Sequence, residues 1–271
     1  MNEAKELHAQ ARKTFPTNRI IVLGIDDLWQ ADLLVLRDKS RHNNGYKYIF
    51  NVIDCFSKVV WPEPLKTKKG EEVTDAFIKI INKAKKMNHR APHLLHTDKG
   101  LEFRNKDLKN VLDQNNIHMY HTESGKKASI VERFNRTLNN RLKIKFEIQR
   151  NYNWIDILDE IIYDYNYNTV HRTIGMKPIE VNKQNEQLLK ETVFNFDEEI
   201  NEKPKFKIGD RVRLVKTKST FPNKYGANWS NEIYTITNIN QTKPITYNIK
   251  DEKGNKVEGR IYKEEIRKTK F

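Results

Sequence analysis

The chain has 271 residues, 37% hydrophobic and 32% charged, with a formal net charge of +14. That length supports one sizeable core plus a smaller domain, and the composition suits a polar, water-facing fold. Cys55 is the only cysteine, which excludes a disulfide framework and a cysteine-rich zinc site and implies a reducing compartment. Met1–Lys13 lacks the apolar run of a secretory signal, and no stretch nears the roughly 18 apolar residues of a membrane span. No membrane partner is expected. The positive charge attracts phosphate backbones, although a basic chain can owe its charge to solubility alone.

Residues 1–18 form a charged lead-in closed by Phe15-Pro16. Apolar runs such as Ile20–Ile25 and Leu33–Leu36 have strand length, and Trp29–Leu36 reads as a buried strand around Asp32. Tyr46–Val60, broken at Asp54-Cys55-Phe56-Ser57, predicts a hairpin-like pair. From Gly70 a helix follows, with Val73, Phe77, Ile80, Ile81 and Ala84 on one face. His93–His96 is a short strand ending at Thr97-Asp98-Lys99-Gly100. Asn105 caps a helix with Leu108, Val111 and Leu112 inward, and Ile117–His121 is another strand.

A long helix spans about Ala128 to Gln149 on the stripe Val131, Phe134, Leu138 and Leu142. A further helix runs from about Asn153 to Tyr167. This alternation predicts an α/β layer domain over residues 19–182. Residues 183–202 are weakly patterned and acidic and read as a linker. From Lys203 the texture changes to short strands separated by turns, a small β-barrel over 203–271. That tail holds 17 Lys/Arg against 7 Asp/Glu. Charge so concentrated favours a nucleic-acid contact, with a plain solvated barrel as the alternative. Trp229 and Tyr234 suit core packing better than an aromatic cage for a methylated lysine.

Phosphodiester chemistry without a covalent intermediate needs an activated nucleophile and relief for charge on the leaving oxygen. Two divalent ions about 4 Å apart supply both, and clustered carboxylates hold them. Asp32 lies within an apolar strand, where an unpaired carboxylate is costly. Asp98 ends a second strand before a tight turn. Glu132 lies near the start of the long helix, whose polar face continues through Arg136, Asn139 and Lys143. Each alone has an ordinary explanation, as a turn former or a helix-dipole partner, and Asp26, Asp27, Asp38 and Asp54 compete with Asp32.

The motifs decide among them. Trp29-Gln30-Ala31-Asp32-Leu33, His96-Thr97-Asp98-Lys99-Gly100-Leu101-Glu102-Phe103 and Ser129–Leu138 around Glu132 resemble the Asp, Asp, Glu signature of retroviral and retrotransposon integrases. Asn168–Pro178 looks like the closing helix and turn of that core. Phe206–Val212 and Tyr262–Glu265 resemble the SH3-like or chromo-like C-terminal domain of Maverick/Polinton transposon integrases. The resemblance implies a ribonuclease-H-like core, a mixed five-stranded sheet with flanking helices, followed by an SH3-like barrel. It implies Asp32, Asp98 and Glu132 as catalytic residues and as ligands of two Mg²⁺ or Mn²⁺ ions. The expected activity is 3′-end processing and strand transfer on element ends and target DNA, by a homo-oligomer, with a chromatin contact through the tail and a nuclear location in a eukaryotic host.

Lys127, Arg133, Arg136, Lys143, Arg211 and Arg213 are the expected DNA contacts. Three features depart from the pattern. Only 33 residues separate Asp98 from Glu132, a spacing that a shortened Glu123–Lys127 loop would explain. Lys99 stands where Asn is common, and no His/Cys module precedes the core. The alternatives are a non-catalytic DNA- or chromatin-binding relative and a ribonuclease-H-like nuclease. No motif points to a tyrosine recombinase.

Overall fold

The computed structural model describes the chain except residues 1–2, 13–14, 17–19, 122–127, 195–202, 217–225, 258 and 260. It divides into two units, residues 21–196 and residues 1–20 together with 197–271. Among the described residues no helix is long and apolar enough to cross a membrane.

In the large unit five strands, β1 (Leu28–Val35), β2 (Tyr48–Asp54), β3 (Val60–Leu65), β4 (Leu94–Thr97) and β5 (His118–His121), form one sheet in the order β3-β2-β1-β4-β5. β1, β2 and β3 pair antiparallel, whereas β4 and β5 run parallel to β1, so the sheet is mixed. Side chains alternate along β1 because successive residues of a strand face opposite ways. Trp29, Ala31 and Leu33 join the core beneath α2 (Gly70–Lys86) and α3 (Lys106–Gln114). Leu34 faces α4 (Ser129–Gln149) and α5 (Leu158–Tyr163) on the other side. Gln30 and Asp32 share that second face, so two polar side chains are carried under α4.

Most expected elements form, with Asn105 capping α3 through the Leu108 amide at 2.8 Å. Three segments differ. Residues 20–27 are not a strand; Asp27 accepts the Leu23 amide and folds the run into a turn before β1. The helix expected from Asn153 begins only at Leu158, because the Asn43 side-chain oxygen accepts the Trp154 and Ile155 amides and holds them in a turn. It then widens into a π-turn over Asp164–Asn168, where Asn166 bonds the backbone of Val60 in both directions. The segment read as a linker starts instead with α6 (Lys183–Thr192). Asn182 caps it, Leu189 is buried, and Phe194 just beyond stacks on Phe56 with ring centroids 4.5 Å apart. Sparse apolar residues hid this helix, since only one edge of it meets the core. Residues 195–202 of that linker and the Glu123–Lys127 loop lie outside the described residues.

In the small unit β6 (Arg211–Leu214), β7 (Tyr234–Asn240), β8 (Thr246–Asp251), β9 (Ile261–Tyr262) and β10 (Ile266–Lys268) form a sheet in the order β10-β6-β7-β8-β9. The sheet is open rather than the closed barrel expected. Its edge strands β9 and β10 have two and three residues and are joined by a tight turn in which Glu265 donates to the Tyr262 carbonyl. They are too short to add a closing ladder.

The N-terminal lead-in belongs to this unit. Its helix α1 (Glu3–Leu7) brings Glu3 and Glu6 to Arg213, at 2.7 and 3.3 Å, and Arg213 is 0% exposed. The same guanidinium donates to the Ser230 and Asn231 carbonyls, and Thr269 donates to Glu6. Trp229 is buried with its indole on the Ala9 carbonyl, and Tyr234 packs against the small core, so both are packing residues.

Removing one partner of a buried ion pair leaves the other charge stranded. Arg213→Met should therefore destabilise the small unit by about 3–5 kcal/mol. Arg211→Met should be near neutral, since Arg211 pairs with Glu252 at the surface. Urea melts followed by fluorescence check this; equal midpoints for the two variants would refute it.

Candidate active site

Asp32 lies mid-strand in β1, opposite Asn51 of β2. Asp98 directly follows β4, the parallel neighbour of β1, and Glu132 lies in the first turn of α4 above the same sheet face. Burial, then the charges of Asp98 and Glu132, push the Asp32 carboxyl up to about 6, against hydrogen bonds that lower it. Asp32 thus senses both of the other carboxylates. The first neighbour on Asp32 is neutral: Asn135, one turn beyond the start of α4, donates to Asp32 at 2.9 Å and accepts from Asn51 at 2.7 Å.

A fourth acid stands near Asp98. Asp98 accepts the Gly100 amide at 3.0 Å, and a Cβ on Gly100 would fall 2.9 Å from the Asp98 carboxylate and 2.7 Å from that of Glu102. A side chain there would displace both carboxylates, which lie close to Gly100. Glu102 and Asn135 both stood inside quoted motifs, yet periodicity gave no reason to single them out.

Gln30 is fully buried two residues before Asp32. Its carbonyl oxygen accepts the Ile130 and Val131 amides, at 2.9 and 3.2 Å, in the first turn of α4. Its amide nitrogen lies 3.3 Å from His96 Nδ1. His96 stacks on Tyr120, and burial, then His121, push its imidazole down to about 4. It is neutral at pH 7 and accepts through Nδ1, which puts its remaining proton on Nε2.

Of the expected DNA contacts, Arg133, Arg136 and Lys143 are exposed on α4, and Arg211 is exposed in the small unit. Lys127 lies outside the described residues. Arg213 is a correction: a fully buried guanidinium held by two carboxylates and two carbonyls cannot reach a phosphate. The small unit has another basic feature, a cavity of about 570 Å³ lined by Arg12, Lys203, Lys205, Lys263, Arg267 and Lys268 beside Trp229 and a single acid, Glu264.

Among the described residues one set of three offers metal-ligand atoms within 4.8 Å of one another: Asp26, Asp54 and His89, all buried. Those atoms are already engaged. Asp26 takes His89 at 2.6 Å, the Trp29 indole and the Arg90 amide. Asp54 takes the amides of Asp26, Phe56 and Ser57 and the Ser57 hydroxyl. Burial, then Asp26, raise the Asp54 pKa. This is a polar knot at the start of β1, three positions along the strand from Asp32, and it holds the turns around it. Asp32, Asp98 and Glu132 are not gathered that tightly.

Comparison with known proteins adds sequence likeness to this geometry. A transposon-derived protein of Caenorhabditis elegans is 30% identical over 195 residues, 72% of this chain and 64% of the relative. A retrovirus-related Pol polyprotein from transposon 297 of Drosophila melanogaster is 27% identical over 135 residues, 50% of this chain and 12% of that one. The chain therefore spans less than two thirds of either relative. In three dimensions, the chain resembles one in the cryo-EM structure of a simian T-cell lymphotropic virus intasome in complex with a PP2A regulatory subunit. The TM-score is 0.60 at 14% identity, over 87% of this chain and 80% of that one. This is a likeness of fold. Residues 25–127, which include Asp32 and Asp98 and stop five residues short of Glu132, match the model of the integrase core domain. Over those residues the mixed sheet of the large unit is thus similar to the integrase core domain.

Proposed function

We propose that this chain is a DNA integrase of a mobile element, with Asp32, Asp98 and Glu132 holding two Mg²⁺ or Mn²⁺ ions. The observation that carries the reading is the raised pKa of Asp32, caused by burial and by two further carboxylates with no cation among its causes. A carboxylate so placed resists ionisation unless a cation joins it. Its donors are all oxygen, which suits hard divalent ions. The ions would activate a water or a DNA 3′-hydroxyl and relieve charge on the leaving oxygen.

The chain's own residues then hold the geometry. Asn135 fixes one Asp32 oxygen, and the turn at Gly100 fixes the Asp98 carboxyl. Arg133, Arg136 and Lys143 supply positive charge along α4 for the DNA backbone. Hydrolysis at an element end followed by attack of the new 3′-hydroxyl on target DNA uses this one site twice. The basic cavity of the small unit supports a second, sequence-independent DNA contact. Assembly on DNA as a homo-oligomer and action in the nucleus of a eukaryotic host belong to the same reading.

Single substitutions Asp32→Asn, Asp98→Asn and Glu132→Gln should each lower end processing and strand transfer at least 100-fold while leaving duplex binding within about threefold. Oligonucleotide cleavage and joining assays with Mg²⁺ or Mn²⁺ check this; activity within tenfold of the parent in all three would defeat the reading.

The pH dependence has a definite sign. The folded-state pKa of Asp32 lies above its unfolded value, so the metal-free protein is most stable below about pH 4 as far as this group is concerned. Stability falls as pH rises through about 6, by at most about 3 kcal/mol. Metal-free Asp32→Asn should therefore melt above the parent at pH 8 and level with it at pH 4. Added Mn²⁺ should raise the melting temperature of the parent only. Parallel melting curves across that range would count against the assignment.

For the small unit, replacing Lys203, Lys205 and Arg267 together by Gln should weaken duplex binding. If all three contact phosphates, the slope of log affinity against log salt should become shallower by about 2.7. Titrations at two salt concentrations decide it, an unchanged slope removing the cavity from the DNA contact.

A further inference from the structure

One side chain touches all three segments that carry the acids. Gln30 sits two residues before Asp32 on β1. Its amide nitrogen meets His96, two residues before Asp98 on β4, and its carbonyl oxygen accepts from Ile130, two residues before Glu132, and from Val131. The three anchor points thus share one offset from the three carboxylates. Nothing local replaces this tie at the helix: Ala128, the residue before α4, makes no side-chain capping bond. The first amides of a helix need an acceptor, and here it comes from a strand 100 residues earlier in the chain.

We infer that Gln30 is a positioning residue that sets the spacing of Asp32, Asp98 and Glu132 and thereby the affinity of the site for its divalent ions. The inference rests on the metal-holding role given to those acids above. Its chemistry needs an amide. Oε1 must accept from two N–H groups at a helix start, while Nε2 must donate to an imidazole nitrogen. A carboxylate supplies only the first and a thioether supplies neither. Burial excludes water from substituting for either arm, since Gln30 is 0% exposed. The repulsion among the three carboxylates works against their convergence, so a fixed frame is what allows them to stay close without a cation.

The test uses the full chain and reads metal binding as well as catalysis. Gln30→Met keeps the volume and removes both arms. It should weaken Mn²⁺ binding, measured by water-proton relaxation, by about tenfold and lower strand transfer by about 100-fold. Gln30→Glu, which keeps the acceptor for α4, should recover at least half of the lost Mn²⁺ affinity on a logarithmic scale. If Gln30→Met does not fold, His96→Phe carries the test. It keeps an aromatic ring against Tyr120, removes the β4 arm, and should weaken Mn²⁺ binding three- to fivefold. Mn²⁺ affinity and activity within twofold of the parent in folded Gln30→Met, or in His96→Phe where that variant stands in, would overturn the inference. Asp32→Asn run alongside separates the two levels. If it too leaves Mn²⁺ binding and activity intact, the site assignment has failed; if it abolishes them while Gln30→Met does not, only the role of Gln30 has.

Discussion

Gathering three carboxylates at one partly buried place is electrostatically unfavourable, and much of the large unit is arranged to impose it. Burial first, and then like charges at close range, resist ionisation, and together they push Asp32 up to about 6. The sheet order puts β1 beside β4, which brings Asp32 and Asp98 together, and α4 crosses the same face with Glu132 in its first turn. Neutral amides fill the space around them. Gln30, Asn51 and Asn135 hydrogen-bond the acids or the segments that bear them, without adding a charge that would compete with a metal. The apolar packing on both faces of the sheet supplies the rigidity, with Trp29, Phe50 and Phe77 on one side and Val131, Leu138 and Trp154 on the other.

The second buried acid cluster shows what separates a structural carboxylate from one held in reserve. Asp26 and Asp54 lie in a drier place than Asp32, yet protein donors take up their oxygens. Compactness alone would choose that cluster as a metal site. Counting donors argues against it, because a carboxylate already saturated by N–H and O–H groups has little left for an ion.

The strands and helices of the large unit were legible because their apolar residues follow periods of two and 3.6, as in Trp29–Leu36 and along Val131, Phe134, Leu138 and Leu142. The three acids were singled out by their motifs and not by their spacing, which fitted several other aspartates equally well. What stayed hidden were features that depend on a partner far away in sequence. Arg213 reads as a surface cation until α1 is seen against it, and Gln30 reads as an unremarkable polar residue until the start of α4 arrives above it. The delayed start of α5 depends on Asn43, more than a hundred residues away. The helix α6 lacks a full apolar stripe because only Leu189 and its flank need burial. Periodicity reports how one segment meets a core; it is silent on single long-range hydrogen bonds.

The small unit is assembled from both ends of the sequence, Glu6 meeting Arg213 across 207 positions and Thr269 across 263. Closing so long a loop has an entropic cost that grows only slowly with length, but it imposes an order in time. During synthesis the residues of the large unit are complete and free to pack while α1 still has no Arg213 to bury. The small unit can close only when its last strand has emerged. Until then Glu3 and Glu6 lack the buried guanidinium that pairs with them in the folded unit.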